Sequence, residues 1–293
     1  MDRVAVVDLG TNSFILLIGS KDGRIILEEI VNVGLGDEKV DLKCRLERAR
    51  RTLEYMVKKS VELGAGKIRA FGTEFFRRNP GIFEELMKNS SVEGRILTSN
   101  EEAFYSHKSV LDLLEDRTLI VDIGGGSVEF IFSRKRMVEK VESFPIGLWY
   151  LRNEFADESG RIDRDDLKNF LEKFLRSVEG EFDRMVGIGG TFTTMVAMRK
   201  ELKKWNFEEI DGSSLDLGWI RWMEGRIFNL EDEEFSKLTP LAKGREKITP
   251  VSFTLVREIM ERFSLGEVVV SAKGCRYGFL YSLMEGENED FEW

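Results

Sequence analysis

Apolar residues form two patterns along this chain: short continuous runs, and stripes with helical spacing. The first run, Val4 to Val7, is apolar at consecutive positions, which is typical of a strand buried on both faces. Apolar stretches follow at 14–19 and 25–33, with a Lys-Asp-Gly turn at 21–23. The first thirty residues therefore predict a β-meander.

Stripes with a period near 3.6 residues predict amphipathic helices at 41–63, 163–181 and 251–263. Strands are predicted at 67–73, 95–97, 184–188 and 267–271, and further helices at 80–89, from 101 onward, at 193–203 and at 274–285. The acidic stretch 285–293 is predicted to fray.

The opening pattern begins again near Arg117, where a strand, a glycine loop, a second strand and a turn at 133–136 repeat the first thirty residues. Such internal repetition indicates a duplicated unit. The chain is long enough for two cores. We therefore expect two domains, 1–117 and 118–293, and leave open that the last helix packs back on the first.

Both repeats place an aspartate and a glycine loop between two strands, instead of the strand–loop–helix of a Rossmann or Walker site. The first loop contains Asp8, Gly10, Thr11, Asn12 and Ser13; the second contains Asp122, Gly124, Gly125, Gly126, Ser127 and Glu129. A third glycine turn contains Gly189, Gly190 and Thr191. Glycine lets backbone N–H groups close around phosphate oxygens, hydroxyls add donors, and aspartate can hold a cation. Two such loops predict two half-sites facing each other across a cleft.

Composition narrows the classes of partner. The net charge is −9, so duplex DNA is not an expected partner. No apolar run approaches the roughly 20 residues that cross a bilayer, and no signal-peptide pattern opens the chain, so a cytoplasmic protein without membrane contact is expected. Cys44 and Cys275 lack metal-ligand spacing and are expected as free thiols. His107, the single histidine, is expected at the surface.

Seven motifs in this order resemble the exopolyphosphatase/guanosine-pentaphosphate phosphatase (Ppx/GppA) family. They are Asp8–Ser13, Gly72–Arg77, Ser99–Ala103, Asp122–Glu129, Phe144–Gly147, Val186–Thr191 and Val270–Arg276. The resemblance covers essentially the whole chain. It implies an α/β fold of two duplicated actin/RNase H-like domains with an interdomain cleft.

The resemblance also implies roles for individual residues. Glu102, the second glutamate of Ser-Asn-Glu-Glu-Ala, matches the position of the family's catalytic base, and Arg77 can pair with a phosphate in fork geometry. Asp122 and Glu129, with Asp8 nearby, would hold Mg²⁺ or another divalent cation. The phosphate-binding residues would be Gly10, Thr11, Asn12, Ser13, Thr73, Gly124, Gly125, Gly126, Ser127, Gly189, Gly190 and Thr191.

Structural alternatives stand beside these roles. Asp8 and Asp122 could be turn-forming residues, Thr191 could cap the following helix, and Glu101 is expected to serve as an acidic residue at a helix N-terminus. Glu102 has the same structural alternative, but its position in the motif favours catalysis.

The chain departs from the family pattern at several positions. Glu74 and Phe75 replace small residues, so the wall near Arg77 is expected to be bulkier and more acidic. Lys247 replaces an aspartate, and Tyr277 stands where glutamate commonly follows the late arginine.

The expected function is hydrolysis of the terminal phosphoanhydride of inorganic polyphosphate. One alternative is removal of the 5′ γ-phosphate of guanosine pentaphosphate. Another is a weakly catalytic regulator that binds phosphate or (p)ppGpp. A homodimer is left open.

Overall fold

The computed structural model describes residues 3–88 and 90–286. These residues form two compact units. The first contains the chain up to Ser109 together with the stretch from Gly274 onward, and the second is Val110–Lys273. The division after Ser109 precedes the predicted boundary at 117, and the last helix belongs to the first unit.

The first unit is built on a five-stranded sheet in the order β3-β2-β1-β4-β5. Its strands are β1 (Arg3–Leu9), β2 (Ser13–Ser20), β3 (Ile25–Asn32), β4 (Lys67–Gly72) and β5 (Glu93–Ile96). The first three form an antiparallel meander, whereas β4 and β5 run parallel to β1. Its helices are α1 (Leu42–Glu62), α2 (Glu74–Arg78), α3 (Pro80–Lys88), α4 (Ser99–Ser109) and the last helix of the chain, α12 (Cys275–Glu285).

The second unit has a six-stranded sheet in the order β10-β11-β9-β6-β7-β8. Its strands are β6 (Arg117–Ile123), β7 (Val128–Arg134), β8 (Met137–Phe144), β9 (Arg184–Ile188), β10 (Ser213–Asp216) and β11 (Glu267–Val270). Its helices are α5 (Leu148–Phe155), α6 (Arg164–Leu175), α7 (Gly190–Arg199), α8 (Phe207–Ile210), α9 (Leu217–Ile227), α10 (Asp232–Leu238) and α11 (Thr249–Arg262). Short 3₁₀ turns lie at Leu111–Leu113 and Pro240–Ala242.

The two sheets share one topology. In each, a three-stranded antiparallel meander is extended by two parallel strands on the side of its first strand: β4 and β5 in one unit, β9 and β11 in the other. The predicted duplicated α/β fold is therefore confirmed. The turn at 133–136 is also present, with Lys135 and Arg136 at positive φ as a tight hairpin requires.

Strand β1 is buried on both faces, as its continuous apolar run predicts: Ala5, Val6 and Val7 have no exposed surface. Ala5 and Val7 belong to the hydrophobic core that includes Leu53 of α1. The opposite face of the sheet carries Val6 and Asp8, since side chains alternate along a strand.

Some predicted elements differ from the structure. Helix α6 ends at Leu175 and not at 181. Arg262 of α11 donates hydrogen bonds to the carbonyls of Leu175 and Val178 at 3.1 Å each, so these carbonyls are satisfied without further helical turns. Helices α2, α5, α8, α9 and α10 and strand β10 were not predicted.

Burial corrects one further expectation. His107 was predicted at the surface and is only 6% exposed, because the face of α4 that carries it packs inside the first unit. The predicted fraying falls on 285–293, of which residues 287–293 lie outside the described residues. Among the described helices, none combines the length and the apolar character that a membrane span needs.

Candidate active site

The first glycine loop joins β1 to β2 and is held from behind by the segment that follows β3. The Gly10 N–H donates to the Ser13 carbonyl at 3.1 Å and closes the turn. The Asn12 carbonyl accepts from the N–H groups of Val33 and Gly34 at 2.8 and 2.9 Å. Thr11 and Asn12 are buried. The loop is therefore a rigid turn, as a preorganised phosphate site requires.

Asn32, at the end of β3, orients the polar side chains of this loop. Its Oδ1 accepts from Ser13 Oγ at 2.6 Å and from Asn12 Nδ2 at 3.4 Å. Asn32 was not among the predicted site residues. The register of the β2–β3 hairpin, which pairs Ser13 with Asn32, is the signal that could have found it.

Arg77 and Glu102 form a buried ion pair in the first unit. Thr73 ends the turn after β4, where its N–H donates to the Leu9 carbonyl at 3.4 Å, and Arg77 follows in the last turn of α2. Arg77 Nη1 donates to Glu102 Oε2 at 2.7 Å and to the Leu97 carbonyl at 3.0 Å. Glu102 lies in the first turn of α4, and its side chain is 11% exposed.

The electrostatics of this half-site favour proton acceptance. Burial raises the pKa of the Glu102 carboxyl, and the Arg77 guanidinium opposes that rise. Burial raises the pKa of Asp8 to about 7; Arg276 counteracts the rise and Glu102 adds to it. Asp8 and Glu102 are thus electrostatically coupled, and a carboxyl with a raised pKa is a better base at neutral pH. The first unit brings together Asp8, the first glycine loop, Thr73, Arg77 and Glu102.

The neighbouring acids differ in role from Glu102. Glu101 accepts a hydrogen bond from the Thr98 N–H at 2.7 Å and forms an ion pair with Arg95. These contacts agree with the structural role at the helix N-terminus that was expected for Glu101. Glu74 is buried and pairs with Arg78, and burial raises the pKa of Glu74. This extra carboxyl makes the surroundings of Arg77 more acidic.

The second glycine loop repeats the turn of the first. The Gly124 N–H donates to the Ser127 carbonyl at 2.9 Å, the counterpart of the bond between Gly10 and Ser13. The carbonyls of the second loop accept the first N–H groups of α5: Gly147 donates to Gly126 at 3.1 Å and Leu148 donates to Gly124 at 3.0 Å. This packing explains the glycine that ends the Phe-Pro-Ile-Gly motif.

Asp122 and Glu129 lie directly opposite each other in the antiparallel β6–β7 ladder, so their carboxylates share one face of the sheet. Glu129 is 2% exposed, and its Oε1 accepts from Ser143 Oγ at 2.8 Å. Asp122 Oδ1 lies 2.7 Å from where a Cβ on Gly189 would stand, so only glycine leaves it room.

These two carboxylates fit a hard divalent cation. Mg²⁺ commonly takes one or two protein carboxylates and completes its shell with water and phosphate oxygens. Within residues 3–88 and 90–286, no group of three or more Asp, Glu, His or Cys side chains gathers at one point.

The third glycine turn is tied to the second loop. The Thr191 hydroxyl donates to the Ile123 carbonyl at 2.8 Å, so it neither caps α7 nor bonds within its own turn. The N-cap of α7 is Gly189, which lies at φ +85°.

Arg245 is a functional candidate that the sequence analysis did not single out. Its guanidinium packs against Gly190, where an added Cβ would lie 2.7 Å from Nη1. Burial lowers the pKa of Arg245 to about 10, and its Nε has no hydrogen-bond partner in the described part of the chain. A guanidinium of this kind, withdrawn from water, is well placed to bind an anion. The signal in the sequence was its position two residues before Lys247, one of the departures from the family pattern.

The second unit thus brings together Asp122, Glu129, the second glycine loop, the third glycine turn and Arg245. The first unit independently assembles Asp8, its own loop, Arg77 and Glu102. All predicted site residues therefore lie at or next to the ends of strands and helices, and each lies within one of the two units.

Comparison with known proteins places the chain in one family. The profile of the Ppx/GppA phosphatase family matches residues 17–287. Exopolyphosphatase 2 of Mycobacterium tuberculosis is 25% identical, over 97% of this chain and 99% of its own length. A guanosine-5′-triphosphate,3′-diphosphate pyrophosphatase of Aeromonas hydrophila is 24% identical, over 98% of this chain and 60% of its own length.

A bifunctional 3-dehydroquinate synthase/phosphatase of Fusobacterium nucleatum is 26% identical, and this chain spans 46% of its length. Among solved structures, the Aquifex aeolicus member of the Ppx/GppA family superposes with a TM-score of 0.78 at 28% identity, over 99% of each chain. An exopolyphosphatase from Cytophaga hutchinsonii superposes with a TM-score of 0.83 at 24% identity, over 98% of this chain and 99% of its own, which supports the fold.

The predicted family is confirmed, and with it the class of enzyme, since the family is one of phosphatases. The profile match covers nearly all of the sequence and includes the second glycine loop and the third glycine turn. The chain belongs to the Ppx/GppA phosphatase family.

Proposed function

We propose that this protein hydrolyses the terminal phosphoanhydride bond of inorganic polyphosphate by in-line attack of water and releases phosphate. The observation that carries the proposal is the buried Arg77–Glu102 pair beside the first glycine loop. A kinase transfers the phosphoryl group to an acceptor other than water, so it would not need a base that activates water. The name of the Mycobacterium tuberculosis relative, exopolyphosphatase 2, supports this choice of substrate.

Glu102 orients the attacking water and accepts its proton. Its raised pKa suits that role near neutral pH, and general-base catalysis is typically worth about 10²–10⁴-fold. Arg77 keeps the carboxylate ionised and in place. The positive charge of Arg77 would stabilise the phosphoryl group, where negative charge spreads in the transition state.

Backbone N–H groups and hydroxyls of the loops hold the terminal phosphates. The residues proposed to line the phosphate-binding turns are Gly10, Thr11, Asn12, Ser13, Thr73, Gly124, Gly125, Gly126, Ser127, Gly189, Gly190 and Thr191. Arg245 adds a charge beside the third turn. Phosphoryl transfer needs mainly such positioning and charge neutralisation.

A divalent cation, Mg²⁺ in this proposal, would be held by Asp122 and Glu129 of the second unit. When bound, the cation neutralises charge on the phosphate oxygens. Ser143, which donates to Glu129, keeps that carboxylate oriented.

Guanosine pentaphosphate is the second candidate substrate, because the Aeromonas hydrophila relative is named for activity on that nucleotide. The same loops, base and cation would remove its 5′ γ-phosphate. A regulator with little turnover is the third reading, which the departures at Glu74, Phe75 and Lys247 permit. A cytoplasmic location and a homodimer stay predictions.

A phosphate-release assay tests the proposal. Polyphosphate, guanosine pentaphosphate and ATP are compared with and without Mg²⁺, in the wild type, Glu102→Gln and Glu101→Gln. We expect Mg²⁺-dependent release from polyphosphate, a near-complete loss in Glu102→Gln, and retained turnover in the matched control Glu101→Gln.

Three results separate the readings. Faster release from guanosine pentaphosphate than from polyphosphate favours the second candidate. Tight binding of one compound without release from any favours the regulator. Turnover in a folded Glu102→Gln variant equal to that of the wild type removes Glu102 from the mechanism.

A further inference from the structure

We propose that Glu28 is a positioning residue for the reaction: it holds the Arg276 guanidinium and so keeps Asp8 available at the first glycine loop. The inference rests on the proposed function, since Asp8 has a catalytic setting only if phosphate binds at this loop. All of the residues involved belong to the first unit.

The Glu28 carboxylate is engaged through both of its oxygens. Arg276 Nε donates to Oε1 at 2.7 Å, and Nη2 donates to the same oxygen at 2.5 Å. The Tyr277 hydroxyl donates to Oε2 at 3.1 Å. The side chains of Arg276 and Glu28 are each 6% exposed. A buried ion pair with additional hydrogen bonds has a defined geometry, and removal of one partner leaves an uncompensated charge.

Strand register places Glu28 and Asp8 on the same face of the sheet. Glu28 pairs with Leu17, and Leu17 pairs with Val6, so these three side chains share one face. Asp8 lies two residues beyond Val6 and therefore points to that face as well.

Helix α12 packs on this face and places Arg276 next to both carboxyls. Leu280 and Met284, later in α12, contact Gly19, which lies two residues beyond Leu17 on the same face. Arg276 stands in the first turn of α12, and α12 packs against β1, the strand that carries Asp8. Arg276 is thus shared electrostatically by Glu28 and Asp8, while its hydrogen bonds go to Glu28.

The sequence shows why the partner of Arg276 matters in this chain. Glutamate commonly follows the late arginine in the family pattern, and here that position is Tyr277. A buried guanidinium still needs a carboxylate. Glu28 supplies it from β3, and the Tyr277 hydroxyl bonds to it.

Loss of the Glu28 charge would leave Asp8 as a remaining counter-charge for Arg276. Asp8 would then be drawn toward α12 and away from the loop that it opens. The expected consequence is a lower kcat for phosphate release with little change in the affinity for phosphate groups, because the loop N–H groups are untouched.

The test compares Glu28→Gln with Glu29→Gln, its neighbour on β3, whose carboxylate accepts from the Tyr55 hydroxyl at 2.9 Å. Measurements are the kcat for release from polyphosphate, the affinity for imidodiphosphate by calorimetry, and the melting temperature. We expect kcat of Glu28→Gln to fall about 10- to 100-fold. Its affinity for imidodiphosphate should be unchanged, and Glu29→Gln should behave as the wild type.

Two further variants separate positioning from folding. Glu28→Asp keeps the charge and should retain more activity than Glu28→Gln. The double variant Glu28→Gln/Tyr277→Glu restores a carboxylate beside Arg276 and should recover kcat. Assays are run well below the melting temperature of each variant, so that a purely structural role leaves kcat unchanged.

The inference is overturned if a folded Glu28→Gln retains the kcat of the wild type, or loses no more than Glu29→Gln does. Those results leave the proposed function intact, since the wild type still releases phosphate. If the wild type releases no phosphate from any substrate, the proposed function fails and the positioning role fails with it.

Discussion

Arg77 and Glu102, 25 positions apart in the chain, meet through a 2.7 Å hydrogen bond inside the first unit. The Leu97 carbonyl receives a second bond from the same Arg77 nitrogen at 3.0 Å and fixes the guanidinium. Burial and charge act on Glu102 in opposite directions: burial raises its pKa, and Arg77 lowers it.

This balance predicts the acid side of the pH profile. Glu102 must be ionised to accept a proton, so kcat/KM should rise with pH through a pKa above the ordinary 4.5 of a glutamate. Arg77→Gln removes the lowering influence, so the acid limb should move to higher pH and the maximal rate should fall. Arg78→Gln is the control, because Arg78 pairs with Glu74 and is more exposed. An acid limb that does not move in Arg77→Gln would contradict the assignment.

The cation proposal predicts a changed requirement for Mg²⁺. Asp122→Asn and Glu129→Gln should each raise the Mg²⁺ concentration for half-maximal activity by about tenfold or more. Ser143→Ala removes only the hydroxyl that orients Glu129, so it should shift the requirement in the same direction by less. Direct binding of Mn²⁺ measured by electron paramagnetic resonance provides a readout besides turnover. Unaltered Mn²⁺ binding in both carboxylate variants would count against this site.

Gly190→Ala tests the role of Arg245. The new Cβ would stand 2.7 Å from Arg245 Nη1, so the guanidinium must leave its place against the third turn. We expect KM for the phosphate substrate to rise about tenfold, the value of one lost charge-assisted hydrogen bond. Gly225→Ala in α9 is the matched control: it has no atom within 4 Å of its Cβ position. Equal KM values for the two variants would remove Arg245 from substrate binding.

His107 predicts an acid sensitivity of the fold that is separate from catalysis. Burial lowers its pKa from 6.5 to about 4, so the folded state disfavours the charged form that the unfolded chain adopts below 6.5. The contribution of neutral His107 to the free energy of unfolding is therefore fully present above pH 6.5 and is lost as the pH falls toward 4. The free energy of unfolding should decrease by about 2 kcal/mol between pH 7 and pH 5 through this residue.

Urea unfolding at the two pH values measures this loss, with His107→Gln as the variant that cannot titrate. The difference in unfolding free energy between pH 7 and pH 5 should be smaller in His107→Gln than in the wild type. An identical pH dependence in both proteins would show that His107 does not carry the effect.

The duplicated α/β architecture, the family and the positions of the glycine loops could all be predicted from the sequence. These features are local. Continuous apolar runs report buried strands, and an aspartate followed by glycines between two such runs reports a phosphate-type turn without knowledge of distant contacts. The motifs around Arg77 and Glu102 could be identified in the same way, because each is a short stretch of neighbouring residues.

Which side chains face one another is determined by the tertiary structure. Asn32 meets Ser13 through the register of a hairpin, Arg245 meets Gly190 through the packing of the second unit, and Glu28 meets Arg276 across 248 positions of sequence. Burial of His107 was likewise set by the packing of α4. Contacts of this kind depend on strand register and helix docking, which hydrophobic periodicity along one segment does not encode.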